Sequence, residues 1–413
     1  MTPDEVAERW GTPTYVYDLA AVRRQHTALR SNLPSPGEVY FSLKANPHPD
    51  IAAEMASLGT HAEVSSSGEL GAALRGGFEP ARVMMTGPGK VGADVGEAID
   101  LGIRRFSVES ARDLALVAGR ARAAGVRADV LLRVNADDPV PGMGLTMTGG
   151  PSQFGVDASA LEPVVTLART LDAVRLRGVH LYMGTNLGDL ATLRRQFIAS
   201  LTLARALLDR FALEVDEINL GGGFGAPFAR EGPAMHLNGL GPTLTDALDD
   251  SLPAWRDRAP TVSFESGRFL TASCGTLVCR VLDVKRSKDR CFVVLDGGIH
   301  QLGGMSGLRR VPRISPTLVT AGSERRAPVE EYTVVGPLCT PLDTWTVGAL
   351  LPAPALGDLV TVPNVGAYGL TASLIAFLGH PPAVEVVHDS GTLRSASRLS
   401  MQRVPVAASR APS

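Results

Sequence analysis

The sequence predicts an α/β protein: a closed (β/α)8 barrel of the TIM type, followed by a mostly antiparallel β domain. Three observations carry this. From residue 36 to 270, eight short β-rich runs each end in a Gly, Ser, Asn or Pro cluster, and helical stretches lie between most of them. After Phe269 strand-like runs continue without helices between them. The opening "PTYVYDLAAV" carries a strand too short to stand alone, so it is expected to join the later sheet.

Taken in order, the eight runs are "VYFSLKAN", "THAEVSSS", "RVMMTGPG", "RRFSVESA", "ADVLLRVN", "RGVHLYMGTN", "DEINLGGGFG" and "TVSFESGR". The segments between them, such as "SARDLALVAGRARAAG", have helical spacing, open on Asp or Ser and close at Gly, as capped helices do. A doubly wound open sheet is the rival arrangement, but eight units fit a closed barrel better. The gap after the fifth run, "ADDPVPGMGLTMTGGPSQFG", is long enough to shape a site. The later runs, from "GTLVCRVLDVKRS" to "AVEVVHDSG", are separated by turn signals. The expected division is a barrel over residues 30–270 and a β domain over 271–413, completed by residues 1–29.

Bulk properties narrow the function. At 413 residues, two domains are the default. A net charge of −2 argues against general nucleic-acid binding. "MTPDEVAERW" does not read as a signal peptide, and no run approaches the ~18 apolar residues of a membrane span, so a cytoplasmic protein is expected. Cys274, Cys279, Cys291 and Cys339 form no C-x-x-C pair, and no histidine completes a zinc site; free thiols are expected.

In a (β/α)8 barrel, chemistry gathers at the C-terminal ends of the strands. Only four of the forty basic residues are lysines, and one of them, Lys44, ends the first run. Such a lysine is either a surface residue beside a turn or, in an apolar mouth that lowers its pKa, a nucleophile for carbonyls. "GGGFG", Gly221 to Gly225, is either a tight strand-to-helix turn or a cradle whose N–H groups and following helix N-terminus hold phosphate. "ESGR" places Glu265 and Arg268 together, as an ion pair or as a carboxylate for a ring nitrogen beside an arginine for an anion. Glu63 is expected at the mouth and Glu69 at the start of the next helix. His180, Tyr182 and Thr185 end the sixth run. "GPLCTPLD" contributes Cys339 and Asp343, and "NVGAYG" contributes Tyr368.

In order and spacing, "YFSLKAN", "EVSSSGEL", "GGGFG", "ESGR", "GPLCTPLD" and "GAYG" resemble the fold-type III pyridoxal-phosphate-dependent decarboxylases, the ornithine/diaminopimelate/arginine decarboxylase family. The resemblance implies pyridoxal 5′-phosphate as cofactor and Lys44 as the Schiff-base lysine. It implies Glu265 at the pyridine nitrogen, and Gly221, Gly222, Gly223, Arg268 and Tyr368 at the phosphate, with Thr185 replacing the usual serine. Glu63 falls where the family has an acid near the cofactor. Cys339 and Asp343 would reach the substrate in a partner's site, making a head-to-tail homodimer with shared sites. Cys339 would return the proton after the carboxylate leaves.

Three departures bear on the substrate. Tyr182 stands where the family usually has histidine, "ESGR" replaces "EPGR", and Gln153 replaces the lysine common in diaminopimelate decarboxylases. The pattern looks most like a biosynthetic branch that includes the L-glutamyl-acyl-carrier-protein decarboxylase of butirosin biosynthesis, which implies an aminoacyl group tethered to a carrier protein. Arg309, Arg310, Arg313, Arg325 and Arg326 form a basic stretch that would steer an acidic carrier, or would simply be a solvated loop. The alternatives are a decarboxylase of free diaminopimelate or ornithine, a pyridoxal-phosphate-dependent racemase, and a non-catalytic pyridoxal-phosphate-binding homeostasis protein.

Overall fold

The computed structural model describes residues 1–137, 150–303, 314–319 and 329–405. Arg309, Arg310, Arg313, Arg325 and Arg326 of the basic stretch, and most of the loop after the fifth barrel strand, lie outside them. The described residues divide into two compact units.

The first unit comprises Asp18–Gly275 and Pro363–Tyr368. Its eight parallel strands are Glu38–Ser42, His61–Val64, Val83–Met85, Arg105–Val108, Ala128–Asn135, Val174–Leu181, Glu217–Asn219 and Thr261–Ser266. Each pairs with the next, the eighth pairs with the first, and the barrel closes as expected. The very short strand Val156–Asp157 adds to the edge of the fifth. The strand interiors are apolar and β-branched or aromatic, which suits a sheet covered on its outer face by helices. Tyr40, Met84 and Leu131 fill the centre of the barrel. The helices start where cap residues stand: Ser66, Ser110 and Asp189 accept from backbone N–H groups two or three residues into Ser67–Arg75, Ala111–Ala123 and Leu190–Phe211.

The helix Leu19–Arg30 groups with the barrel, although a boundary at residue 29 would leave it with the β domain. Its apolar face of Leu19, Ala21, Val22 and Leu29 is buried, and it packs on the barrel helices Pro49–Ser57 and Arg268–Thr271. A strand-to-helix junction at Asp18, which caps the helix through Ala20 N–H, carries the division instead.

The second unit comprises Met1–Tyr17, Thr276–Val362 and Gly369–Ser413. The N-terminal strand Thr14–Asp18 lies between Gly275–Ser287 and Val384–Asp389, as its shortness led us to expect. Tyr15 anchors it by donating to the Gln301 carbonyl at 2.7 Å. Its hairpin pairings are antiparallel, but Arg290–Leu295 and Val329–Val335 run parallel, so the sheet is mixed. No described helix is long and apolar enough to cross a membrane.

Candidate active site

The site is built at the C-terminal mouth of the barrel. Strand one ends at Ser42, and the single turn Leu43–Ala45 places Lys44 at the rim. Asn46 fixes that turn, donating to the Gly366 carbonyl at 2.8 Å while accepting from His48 N–H. Register aligns Ser42 with Glu63 on strand two. Lys44 Nζ consequently sits 3.1 Å and 3.3 Å from the two Glu63 oxygens. Glu63 also accepts from Thr86 Oγ1 at 2.7 Å.

This pairing reverses one expectation. An apolar mouth was expected to lower the lysine's pKa. Desolvation does oppose its charge, but Glu63 foremost, with Tyr368, Tyr182 and Glu265, outweighs it and raises the pKa above the ordinary lysine value. For the Glu63 carboxyl, burial works upward; Lys44 and the hydrogen bonds from Ser42 and Thr86 overcome it and hold the group below the usual carboxylate range.

Strand eight supplies Glu265, which is 1% exposed. Asn219 Nδ2 donates to its Oε1 at 3.0 Å, and His180 Nε2 stands 3.1 Å from the same oxygen. Ser107 Oγ contacts the other imidazole nitrogen at 2.8 Å. Glu265 Oε2 has no hydrogen-bond partner among the described residues. A buried carboxylate oxygen left in this state is costly unless a further donor meets it.

Strand seven ends at Asn219, whose side-chain oxygen accepts from Gly221 N–H at 2.8 Å and starts the glycine loop. A Cβ at Gly222 would collide with the Glu265 carbonyl, and Gly223 has φ +107°, so side chains are excluded here for two separate reasons. No helix follows directly: residues 226–239 intervene before Leu240–Ser251. The helix dipole expected to aid anion binding is therefore missing from this loop, and what it offers is backbone N–H groups. Those of Gly222 and Gly223 have no partner among the described residues.

Arg268 opens the helix Arg268–Thr271 and lies 4.6 Å from the Tyr368 ring and 5.9 Å from the Phe228 ring. Its Nε is buried without a partner, it forms no ion pair among the described residues, and burial lowers its pKa. Tyr368 has φ +56° and donates its N–H to the Ala45 carbonyl at 2.7 Å, joining the segment Pro363–Tyr368 to the lysine turn. The Tyr182 ring centre is 5.9 Å from Lys44 Nζ and 5.7 Å from the Arg133 guanidinium. Burial above all pushes its phenol up to about 12. One cavity is lined by Lys44, Tyr182, Thr185, Gly223, Glu265, Arg268 and Tyr368.

The expected residues of the "GPLCTPLD" segment lie in the other unit. Cys339 is exposed. Asp343, expected to bind substrate, is 2% exposed, and its two oxygens accept from Ile299 N–H at 2.7 Å and Leu338 N–H at 2.8 Å. These two bonds tie residue 299 to the 338–343 turn. Glu69 sits in the first turn of Ser67–Arg75, where it accepts from Ser65 N–H at 2.7 Å.

Sequence reasoning missed Ser107, Asn219 and Thr86. For the first two, the available signal was a polar residue inside an apolar strand. Thr86, in contrast, sits just past its strand, and nothing in "MMTGPG" ties it to Glu63.

This set of residues fits pyridoxal phosphate: an amine, a carboxylate with an unmet oxygen, an arginine without an ion pair and the backbone of Gly223 line one cavity. A family model described as pyridoxal-dependent decarboxylase, pyridoxal binding domain, matches residues 19–272. Over 94% of its length the chain is 34% identical to L-glutamyl-(BtrI acyl-carrier protein) decarboxylase of Niallia circulans, spanning 91% of that protein. Over 89% of its length it is 32% identical to diaminopimelate decarboxylase of Pseudomonas aeruginosa, spanning 86% of that protein. The fold matches diaminopimelate decarboxylase from Helicobacter pylori, crystallised with L-lysine, at TM-score 0.83 and 24% identity over 95% of each chain. With the closed barrel, the lysine at its rim and these matches in hand, the chain belongs to the pyridoxal-dependent decarboxylases, a family of carboxy-lyases.

Proposed function

We propose that this chain removes the α-carboxylate of an aminoacyl group carried on an acyl-carrier protein, using pyridoxal 5′-phosphate bound at the barrel mouth. The cofactor reading is carried by the cavity in which Lys44 Nζ, the unmet Glu265 Oε2 and the unpaired Arg268 stand together. Bound there, the cofactor supplies an electron sink for the bond to the departing carboxylate. Lys44 is its anchoring amine. Glu265, braced by Asn219, holds a proton at the ring nitrogen. Arg268, Thr185, Tyr368 and the N–H groups of Gly222 and Gly223 share the phosphate, whereas the Gly221 N–H is taken by Asn219 and shapes the loop. Glu63 pairs with the Lys44 ammonium and holds it in place, and Tyr182 covers the ring face.

The carrier-bound substrate is supported by the 34% identity to a carrier-protein decarboxylase across nearly the whole chain. The 32% identity to diaminopimelate decarboxylase favours a free diamino acid as the second reading. Cys339, exposed on the β unit, would donate the final proton in a second copy's site, so the working enzyme would be a homodimer.

Two measurements test this. Borohydride trapping followed by peptide mass spectrometry should find the cofactor on Lys44, and a label on another residue refutes the site. Carbon dioxide release should be faster with L-glutamyl-carrier thioester than with free glutamate or diaminopimelate. Faster release from free diaminopimelate selects the second reading.

A further inference from the structure

The glycine loop is braced from behind by a residue that none of the motifs contains. Gln196 lies on Leu190–Phe211, is 0% exposed, and donates from Nε2 to the Gly222 carbonyl at 2.6 Å. A carbonyl can only accept, so its partner fixes which end of the amide faces the loop. The Gly222–Gly223 peptide is trans, and across a planar trans peptide the C=O and the next N–H point in opposite directions. By drawing the Gly222 oxygen toward the helix, Gln196 turns the Gly223 N–H the other way. Leu187 N–H holds the next carbonyl, that of Gly223, at 2.9 Å. The Gly223 N–H itself is unpartnered among the described residues, and Gly223 lines the cavity with Lys44, Thr185 and Arg268.

Stability alone does not account for Gln196. Its Oε1 is buried without a partner, so the amide pays a desolvation cost that an apolar side chain would avoid. What it provides is a fixed donor on one carbonyl.

We propose that Gln196 is a positioning residue for the cofactor phosphate: without touching the phosphate, it presets the Gly222–Gly223 peptide so that the Gly223 N–H is directed at the anion. This rests on the cofactor reading above. The test compares Gln196→Leu, which keeps the bulk and loses the donor, with Gln196→Asn, which withdraws the donor by one methylene. Apoprotein is titrated with pyridoxal 5′-phosphate and, separately, with pyridoxal, which has no phosphate, following the visible absorbance. In both variants the Kd for pyridoxal phosphate should rise about tenfold, on the scale of one hydrogen bond, while that for pyridoxal stays within twofold. Equal weakening of both ligands marks a merely structural role and overturns the proposal, as does unchanged phosphate-ester binding. If Gln196→Leu does not fold, the Asn variant decides. Wild-type protein that takes up neither ligand overturns the cofactor reading, and this inference with it, which is a distinguishable result.

Discussion

At Lys44 two effects pull in opposite directions, and their balance sets when the amine can react. A lysine attacks a carbonyl only as the neutral amine. Desolvation pushes toward that form, while Glu63 at 3.1 Å pushes harder toward the ammonium. The stabilisation from the raised lysine is complete below its ordinary pKa and is lost as pH rises through the raised value. That from the lowered Glu63 is present above the ordinary carboxylate value and is lost as pH falls through the lowered one. The pair is therefore intact across the neutral range, and cofactor uptake by apoprotein should accelerate with rising pH. Glu63→Gln should move that acceleration at least about one pH unit lower, since one opposing charge is removed. Stopped-flow absorbance from pH 6.5 to 10 reads it directly, and coincident curves for the two proteins would dispose of the argument. "YFSLKAN" located the lysine, but its partner is nineteen residues away. Only strand register brought Glu63 beside it, and with it the opposite sign of the pKa shift.

Among the elements, the loop after strand seven shows how close approach substitutes for a helix dipole. Backbone from strand eight crosses so near Gly222 that no Cβ fits. Gly222→Ala should therefore destabilise the barrel by about 2 kcal/mol through overpacking, and weaken cofactor binding as well. Gly188, in the preceding loop with open space around it, is the control: Gly188→Ala should leave both unchanged. Thermal melts with cofactor titrations measure the pair. A Gly222→Ala protein matching wild type in both would mean the strands give way easily. "GGGFG" was legible as an anion loop. The missing helix had a signal that the reading of a strand-to-helix turn passed over: Pro227, Gly232, Pro233 and Gly239 all fall within the fourteen residues after Gly225 and oppose a helix there. The brace was not legible, since Gln196 reads as an ordinary polar residue in a helix.

Over the whole molecule, the β unit holds a second ionisable group under tension. Glu385 is 5% exposed and accepts from Tyr17 Oη at 3.1 Å. Burial dominates that hydrogen bond and pushes its carboxyl up to about 7. The sign follows from linkage: a raised acid favours the folded state below its ordinary value, and that advantage is lost as pH rises through about 7. Above that pH the fold must bury a charge. Glu385→Gln keeps an acceptor for Tyr17 and removes the penalty. It should match wild type near pH 5 and exceed it at pH 8.5 by on the order of 2 kcal/mol. Calorimetry at the two pH values tests this, and a gain of equal size at both would locate its origin elsewhere. Tyr17 was expected in the sheet from its strand alone; its acid partner is 368 residues distant and had no local mark.

By itself the sequence determined the eight β-α units, the later strands, the identity of the chemistry-bearing motifs and the family they resemble. These are properties of local periodicity, turn residues and spacing, which a chain carries in linear order. The tertiary structure decided the rest. It set which acid faces Lys44, which oxygen of Glu265 is left unmet, that Asp343 ties residue 299 to the turn before it, and that the helix after Asp18 belongs with the barrel. Each of these depends on register and packing between segments far apart in the chain, where charge and hydrogen-bond capacity are allotted by proximity in space.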